Sequence, residues 1–169
     1  MRDVDILITD GTILTIDEHY TRIDDGALAI KGNRIIAIGK TAEIQCQFVG
    51  HMVISAQNAI VMPGTVNCHT HAAMTCFRGI ADDLELMTWL NNYIFPAEVR
   101  NINPELIYWG SLLACAEMIK SGTTTFCDMY LFEDETAQAA KKAGIRCLLG
   151  EGLFDFPSPN AKTPSEGMN

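Results

Sequence analysis

Two histidines one residue apart, His69 and His71, stand in the run Val61-Met-Pro-Gly-Thr-Val-Asn-Cys-His-Thr-His71. Side chains at i and i+2 of an extended strand point to the same side, so both imidazoles can reach one ion. A bare H-x-H is more often two surface or core histidines with no ion between them. Here the surroundings favour a metal: Pro63-Gly64 makes a turn, and Thr65-Val66-Asn67-Cys68 reads as a short buried strand. The pair then sits at the strand's C-terminal end. Cys68 could in principle offer a thiolate. Its side chain should point away from both histidines, so it reads as a packing residue.

The elements around this strand change period at residue 63. Before it, the chain reads as all-β. Val4, Ile6 and Ile8 alternate with Asp5, Leu7 and Thr9, Asp10-Gly11 reads as a turn, and Thr12 to Ile16 as a second strand. Gly32-Asn33 joins two more strands, Ala27 to Lys31 and Arg34 to Ile38. Thr41 to Gln47 reads as a short helix, and 53–54 and 60–62 as short strands. The expectation for 1–62 is a β-sandwich segment with little chemistry in it, its His19 and His51 solvated in turns.

After residue 63, Leu84, Met87, Leu90 and Ile94 recur at helical spacing. Asn103-Pro104 starts a helix that runs to Lys120 and stops at Ser121-Gly122. Thr123 to Cys127 is a strand ending at Asp128, Glu133 to Ala143 a helix closed by Gly144, and Ile145 to Leu149 a third strand. Beyond Asp155 the chain reads as a loop. Strand, helix, strand, helix, strand implies a parallel sheet. Three strands do not close. The fold class expected is α/β: an incomplete (β/α)8 barrel, with 63–169 as its first part. Such barrels take about 250 residues and do their chemistry at the C-terminal ends of the strands, where the histidine pair falls.

The formal net charge of −9 argues against nucleic acid or an anionic membrane surface as partner. No run reaches the roughly 18 apolar residues of a membrane span. The amino terminus carries acids where a signal peptide would be basic and then apolar. Six cysteines without a C-x-x-C pair read as reduced, mostly buried thiols of a cytoplasmic protein.

The stretch from Pro63 through His69-Thr-His71 to Arg78-Gly-Ile-Ala-Asp-Asp83 resembles the amidohydrolase superfamily. Leu86-Met-Thr-Trp-Leu90, Ile94-Phe-Pro-Ala-Glu98 and Ser121-Gly-Thr-Thr-Thr-Phe-Cys-Asp128 narrow the resemblance to 5-methylthioadenosine/S-adenosylhomocysteine deaminases. It covers essentially the whole chain. It implies a metal-dependent deaminase of purine nucleosides, a homo-oligomer at full length, with zinc or alternatively iron as cofactor. His69 and His71 look like the first two ligands, and Glu98 like the carboxylate that accepts from the ribose hydroxyls. The bland reading of Glu98 is an exposed charge at a helix end. Trp89 could cover the base or the thioether; an aromatic on the apolar face of a helix is the equal alternative. Asp128 is a weaker candidate for orienting a ligand. Asp82 and Asp83 read as helix caps, with Arg78 paired to one of them.

Two departures bear on function. No histidine follows His71, so the other ligands and the acid/base that the resemblance requires are expected downstream of Asn169, and the 169 residues alone are expected to be inactive. In Gly150-Glu151-Gly152 an acid stands where some relatives carry an arginine for the homocysteine carboxylate. That leaves methylthioadenosine or adenosine as substrates ahead of S-adenosylhomocysteine. The rival readings are another amidohydrolase, such as a guanine deaminase or a chlorotriazine hydrolase, and a truncated chain that only binds.

Overall fold

The computed structural model describes residues 1–168, which divide into two compact units, Met1–Pro63 and the residues from Gly64 on. In the first unit, β1 (Arg2–Leu14) pairs antiparallel with β2 (Arg22–Lys31), which pairs with β3 (Arg34–Lys40) across the Gly32-Asn33 turn. Helix α1 (Thr41–Gln47) leads to β4 (Phe48–Ser55), which runs parallel to β1 on its other side. The two-residue β5 (Ile60–Val61) also joins β1. The described residues of this unit therefore form one mixed sheet. Ile44 of α1 packs with Val4, Leu7, Ala27, Ala29 and Phe48 as its core.

Three sequence expectations change here. Asp10-Gly11 does not reverse the chain: β1 runs through it, with register shifts on both sides of Gly11 and Asp10 at φ +64. The pair makes an irregularity in one long strand, because partners on both sides hold β1 extended. The buried face of β1 carries Leu7, Thr9 and Ile13, while Ile6 and Ile8 are half-buried. Apolar residues on both faces made the alternation ambiguous, and packing against α1 decided it. His51 lies within β4, not in a turn.

The second unit contains β6 (Thr65–Thr70), β7 (Thr123–Tyr130) and β8 (Arg146–Glu151) as a parallel sheet in that order. It is α/β. A 3₁₀ turn (Ala72–Phe77) follows β6. Next comes one helical run in three parts: α2 (Leu86–Trp89), a π-helical turn (Leu90–Ile94) and α3 (Phe95–Asn101). Helix α4 (Pro104–Lys120) is capped by the Asn103 side chain, which accepts from the Leu106 amide. Helix α5 (Glu133–Ala143) ends at Gly144, whose φ of +77 is the left-handed closure that glycine permits. A four-residue helix, α6 (Pro164–Gly167), interrupts the final loop.

Two apolar clusters hold these elements. Cys115, Met118, Phe126, Ala140 and Ile145 pack between α4, β7 and α5. Ala73, Phe77, Ala97, Ile107 and Tyr130 join the 3₁₀ turn to α3, α4 and the end of β7. Phe126 and Ile107 are fully buried, and each such side chain contributes about 1.5–3 kcal/mol. Strand β6 is at the sheet edge and Val66 is 60% exposed, so the expected buried strand is largely open. One neighbouring strand covers one edge of it. The thiols are also less buried than expected: Cys46, Cys68 and Cys76 are exposed and only Cys115 is buried, all six being free. Among the described residues no helix is long and apolar enough to cross a membrane.

Helix α4 meets the 3₁₀ turn at Gly110. A Cβ there would lie 2.7 Å from the Ala73 carbonyl oxygen and 2.9 Å from Cys76 Sγ. The Thr75 hydroxyl donates to the Gly110 carbonyl at 2.8 Å. Gly110→Ala must push backbone from backbone, and we expect it to cost about 1–3 kcal/mol in urea unfolding. Wild-type stability in that variant would contradict this close approach.

Candidate active site

Asp128 is the buried centre of the β6–β7 junction, 2% exposed. Its Oδ1 accepts from the Thr70 hydroxyl at 2.5 Å and from the Ala72 amide at 2.9 Å, and its Oδ2 from the same amide at 3.2 Å. The carboxylate thus grips the residues on either side of His71. The next residue of β7 takes over: the Met129 carbonyl oxygen lies 2.6 Å from His71 Nδ1. A carbonyl only accepts, so Nδ1 carries a proton, and in the neutral imidazole Nε2 keeps its lone pair. That is the tautomer a metal ligand needs.

His69 and His71 come together as the strand register requires. Their ring centroids are 5.1 Å apart at 78°. His69 is exposed and His71 half-buried. Among the described residues no three His, Cys, Asp or Glu side chains converge as a metal set. A tetrahedral zinc ion takes four ligands; the two imidazoles could supply two of them, and Asp128 is already engaged by Thr70 and Ala72.

His71 also lines a cavity of about 440 Å³, which brings it together with Trp89 and Glu98. The floor is Met129, Tyr130 and Leu131 at the end of β7. Helical residues from Trp89 to Val99 form one wall, and the loop from Phe154 to Pro159 forms another. Trp89 is half-buried beside Leu90 rather than packed away in the core. Glu98 is half-buried and accepts a 2.5 Å hydrogen bond from the Tyr130 hydroxyl. Burial pushes its carboxyl above the ordinary range, against the opposing pull of that hydrogen bond and of His71. His69 lies outside this lining.

Other expectations shift. Arg78 pairs with Glu117, at 3.0 and 2.7 Å, and not with Asp82 or Asp83. The cap of α2 is the Glu85 carboxylate, which accepts from the Thr88 amide at 3.0 Å. Glu151 spans a backbone joint: it accepts from the Phe132 amide at 2.9 Å, the Glu133 amide at 2.7 Å and the Asn160 side chain at 2.5 Å. It therefore caps α5 from β8, where Phe132 is left-handed at φ +54. Tyr130 was missed in the sequence. The signal was there, because Phe126, Asp128 and Tyr130 alternate along β7 and all three are buried.

The amidohydrolase family profile matches residues 60–168. The chain belongs to the amidohydrolase family. It is 66% identical over 168 residues to 5-methylthioadenosine/S-adenosylhomocysteine deaminase 1 of Syntrophus aciditrophicus, covering 99% of this chain and 38% of that protein. It thus spans under two-fifths of the length of that relative. The crystal structure of a zinc-bound adenosine deaminase from Xanthomonas campestris superposes with a TM-score of 0.92 at 39% identity, over 99% of this chain and 38% of that one. A zinc-complexed atrazine chlorohydrolase from Arthrobacter aurescens superposes at 0.77 and 23% identity, over 89% and 36%, which shows the shared fold alone.

One buried acid of this amidohydrolase unit sits among other acids. Glu133 is 5% exposed, and among the described residues neither carboxylate oxygen has a hydrogen bond of good geometry. Burial, then the charges of Asp128 and Glu151, push its pKa up to about 8. The folded state therefore holds this proton more tightly than the unfolded chain, whose glutamate titrates near 4.5. Its contribution is most favourable below the unfolded value and is lost as pH rises toward 8. Glu133→Gln removes that loss. We expect the variant to gain stability relative to wild type between pH 5 and pH 8 in urea unfolding, and a pH-independent difference would contradict the buried acid.

Proposed function

We propose that the intact protein is a metal-dependent aminohydrolase of adenosine analogues, exchanging the 6-amino group of the purine for oxygen from water and releasing ammonia. The observation that carries this reading is the cavity where His71, Trp89 and Glu98 meet. The similarity to a 5-methylthioadenosine/S-adenosylhomocysteine deaminase supports it. On this reading residues 63–169 form the first part of a (β/α)8 barrel and residues 1–62 belong to a flanking β-sandwich. The remaining ligands and the general acid/base lie in the portion of the longer relatives that this chain does not span.

His69 and His71 would hold the metal, zinc by analogy with the zinc-bound relative. An ion held there would supply hydroxide at neutral pH by lowering the pKa of water. The chain's own residues do the positioning. The Met129 carbonyl presents the Nε2 lone pair of His71. Glu98 accepts from the ribose 2′ and 3′ hydroxyls, and Trp89 lies over the base or the thioether side. Among the described residues the cavity wall offers Phe154, Phe156, Trp89 and Val99. Glu151 is engaged at the start of α5. A 5′-methylthio group suits this wall. Glu151, an acid where the resemblance puts an arginine in some relatives, offers no counter-charge to the carboxylate of S-adenosylhomocysteine.

The test is ammonia release by the full-length protein from methylthioadenosine, S-adenosylhomocysteine and free adenine. We expect kcat/KM to be higher for methylthioadenosine than for S-adenosylhomocysteine. Glu98→Gln should raise the KM for methylthioadenosine by about 10-fold or more while leaving adenine turnover little changed, because only the nucleoside loses a charge-assisted hydrogen bond. Equal effects on nucleoside and free base would refute the ribose role. The 169-residue chain alone should release no ammonia at enzyme-like rates.

A further inference from the structure

Tyr130 touches both halves of the cavity. Its ring is buried, 7% exposed, with its centroid 6.0 Å from that of His71. Its hydroxyl donates to Glu98 Oε1 at 2.5 Å, across 32 positions of sequence. Glu98 comes from α3 and receives no other side-chain or amide donor among the described residues. One carboxylate oxygen is thus occupied by the protein and the other is left for a ligand.

The neighbouring residue on β7, Met129, fixes His71 through its carbonyl. Two consecutive residues of one strand therefore govern the orientation of the histidine and of the carboxylate. Tyr130 is itself tied down, since the Gly152 amide donates to its carbonyl oxygen at 2.7 Å. A strand residue held this way is a fixed support for a side chain on a helix packed against it.

We propose that Tyr130 is a positioning residue that sets preference for a vicinal diol: its hydroxyl pins one oxygen of Glu98, so that the other accepts from the ribose at a fixed distance from the metal-facing histidine. This rests on the reading of Glu98 as the ribose carboxylate. Without the phenol, Glu98 rotates, and the diol loses its aligned acceptor while the reacting purine ring keeps its own contacts. The loss falls on KM for nucleosides rather than on kcat.

The experiment uses the full-length protein with methylthioadenosine, its 2′-deoxy analogue and adenine. Tyr130→Phe keeps the ring and removes only the oxygen. We expect its KM for methylthioadenosine to rise about 3- to 10-fold with kcat little changed. We expect the preference for the ribose over the 2′-deoxyribose substrate to shrink, with adenine turnover as in wild type. Combined with Glu98→Gln, the second substitution should add nothing to the first, because both act through one contact. A Tyr130→Phe enzyme that lowers kcat equally for all three substrates, or leaves the 2′-hydroxyl preference intact, would overturn the proposal. If Glu98→Gln raises nucleoside KM and Tyr130→Phe does not, the positioning role fails and the ribose reading stands. If Glu98→Gln itself spares nucleoside KM, both fail.

Discussion

Asp128 is the constraint on which the site depends. Its carboxylate is buried between two parallel strands and is satisfied by the hydroxyl of Thr70 and the amide of Ala72. A buried charge is tolerated only where hydrogen bonds replace water, so the strand end and the following turn are held in one geometry. That geometry carries His71 between them. The chain leaves β6 at His71 and enters the 3₁₀ turn at Ala72, and the same carboxylate spans the change of direction.

The end of β7 extends this control outward. Residues 128, 129 and 130 act in turn on the β6 turn, on the His71 ring and on Glu98. Three consecutive positions of a strand can serve three neighbours because side chains alternate faces while the backbone carbonyls point along the sheet. The fold thus gathers the polar contacts of the site at the strand C-termini. Helix α4 completes the arrangement by bringing a glycine against the backbone of the 3₁₀ turn, which a larger residue would prevent.

Acids are unusually dense behind the site. Asp128 is satisfied, Glu151 caps a helix from another strand, and Glu133 is buried without a well-formed hydrogen bond among the described residues. Glu151 explains how the backbone at Phe132 tolerates a left-handed conformation, because two amides on either side of the joint share its carboxylate. That joint turns Glu133 inward. An uncompensated buried carboxyl keeps its proton, and the cost of charging it falls on the same junction that supports His71.

The sequence by itself determined the elements and the family. The cap at Asn103 and the closures at Gly122 and Gly144 are local signals, and each survives in the structure because nothing distant opposes it. The resemblance built on His69, His71, Glu98 and Trp89 led to the amidohydrolase family, which the match over residues 60–168 shows. Tertiary structure decided the rest. Asp10-Gly11 became part of a continuous strand because β2 pairs along it while β4 and β5 pair with β1 just before and just after it, and Arg78 turned to Glu117, 39 positions away. The links from Tyr130 to Glu98, from Met129 to His71 and from Glu151 to Phe132 join residues far apart in the chain. No periodicity or spacing encodes them, since they exist only once strands and helices are packed side by side.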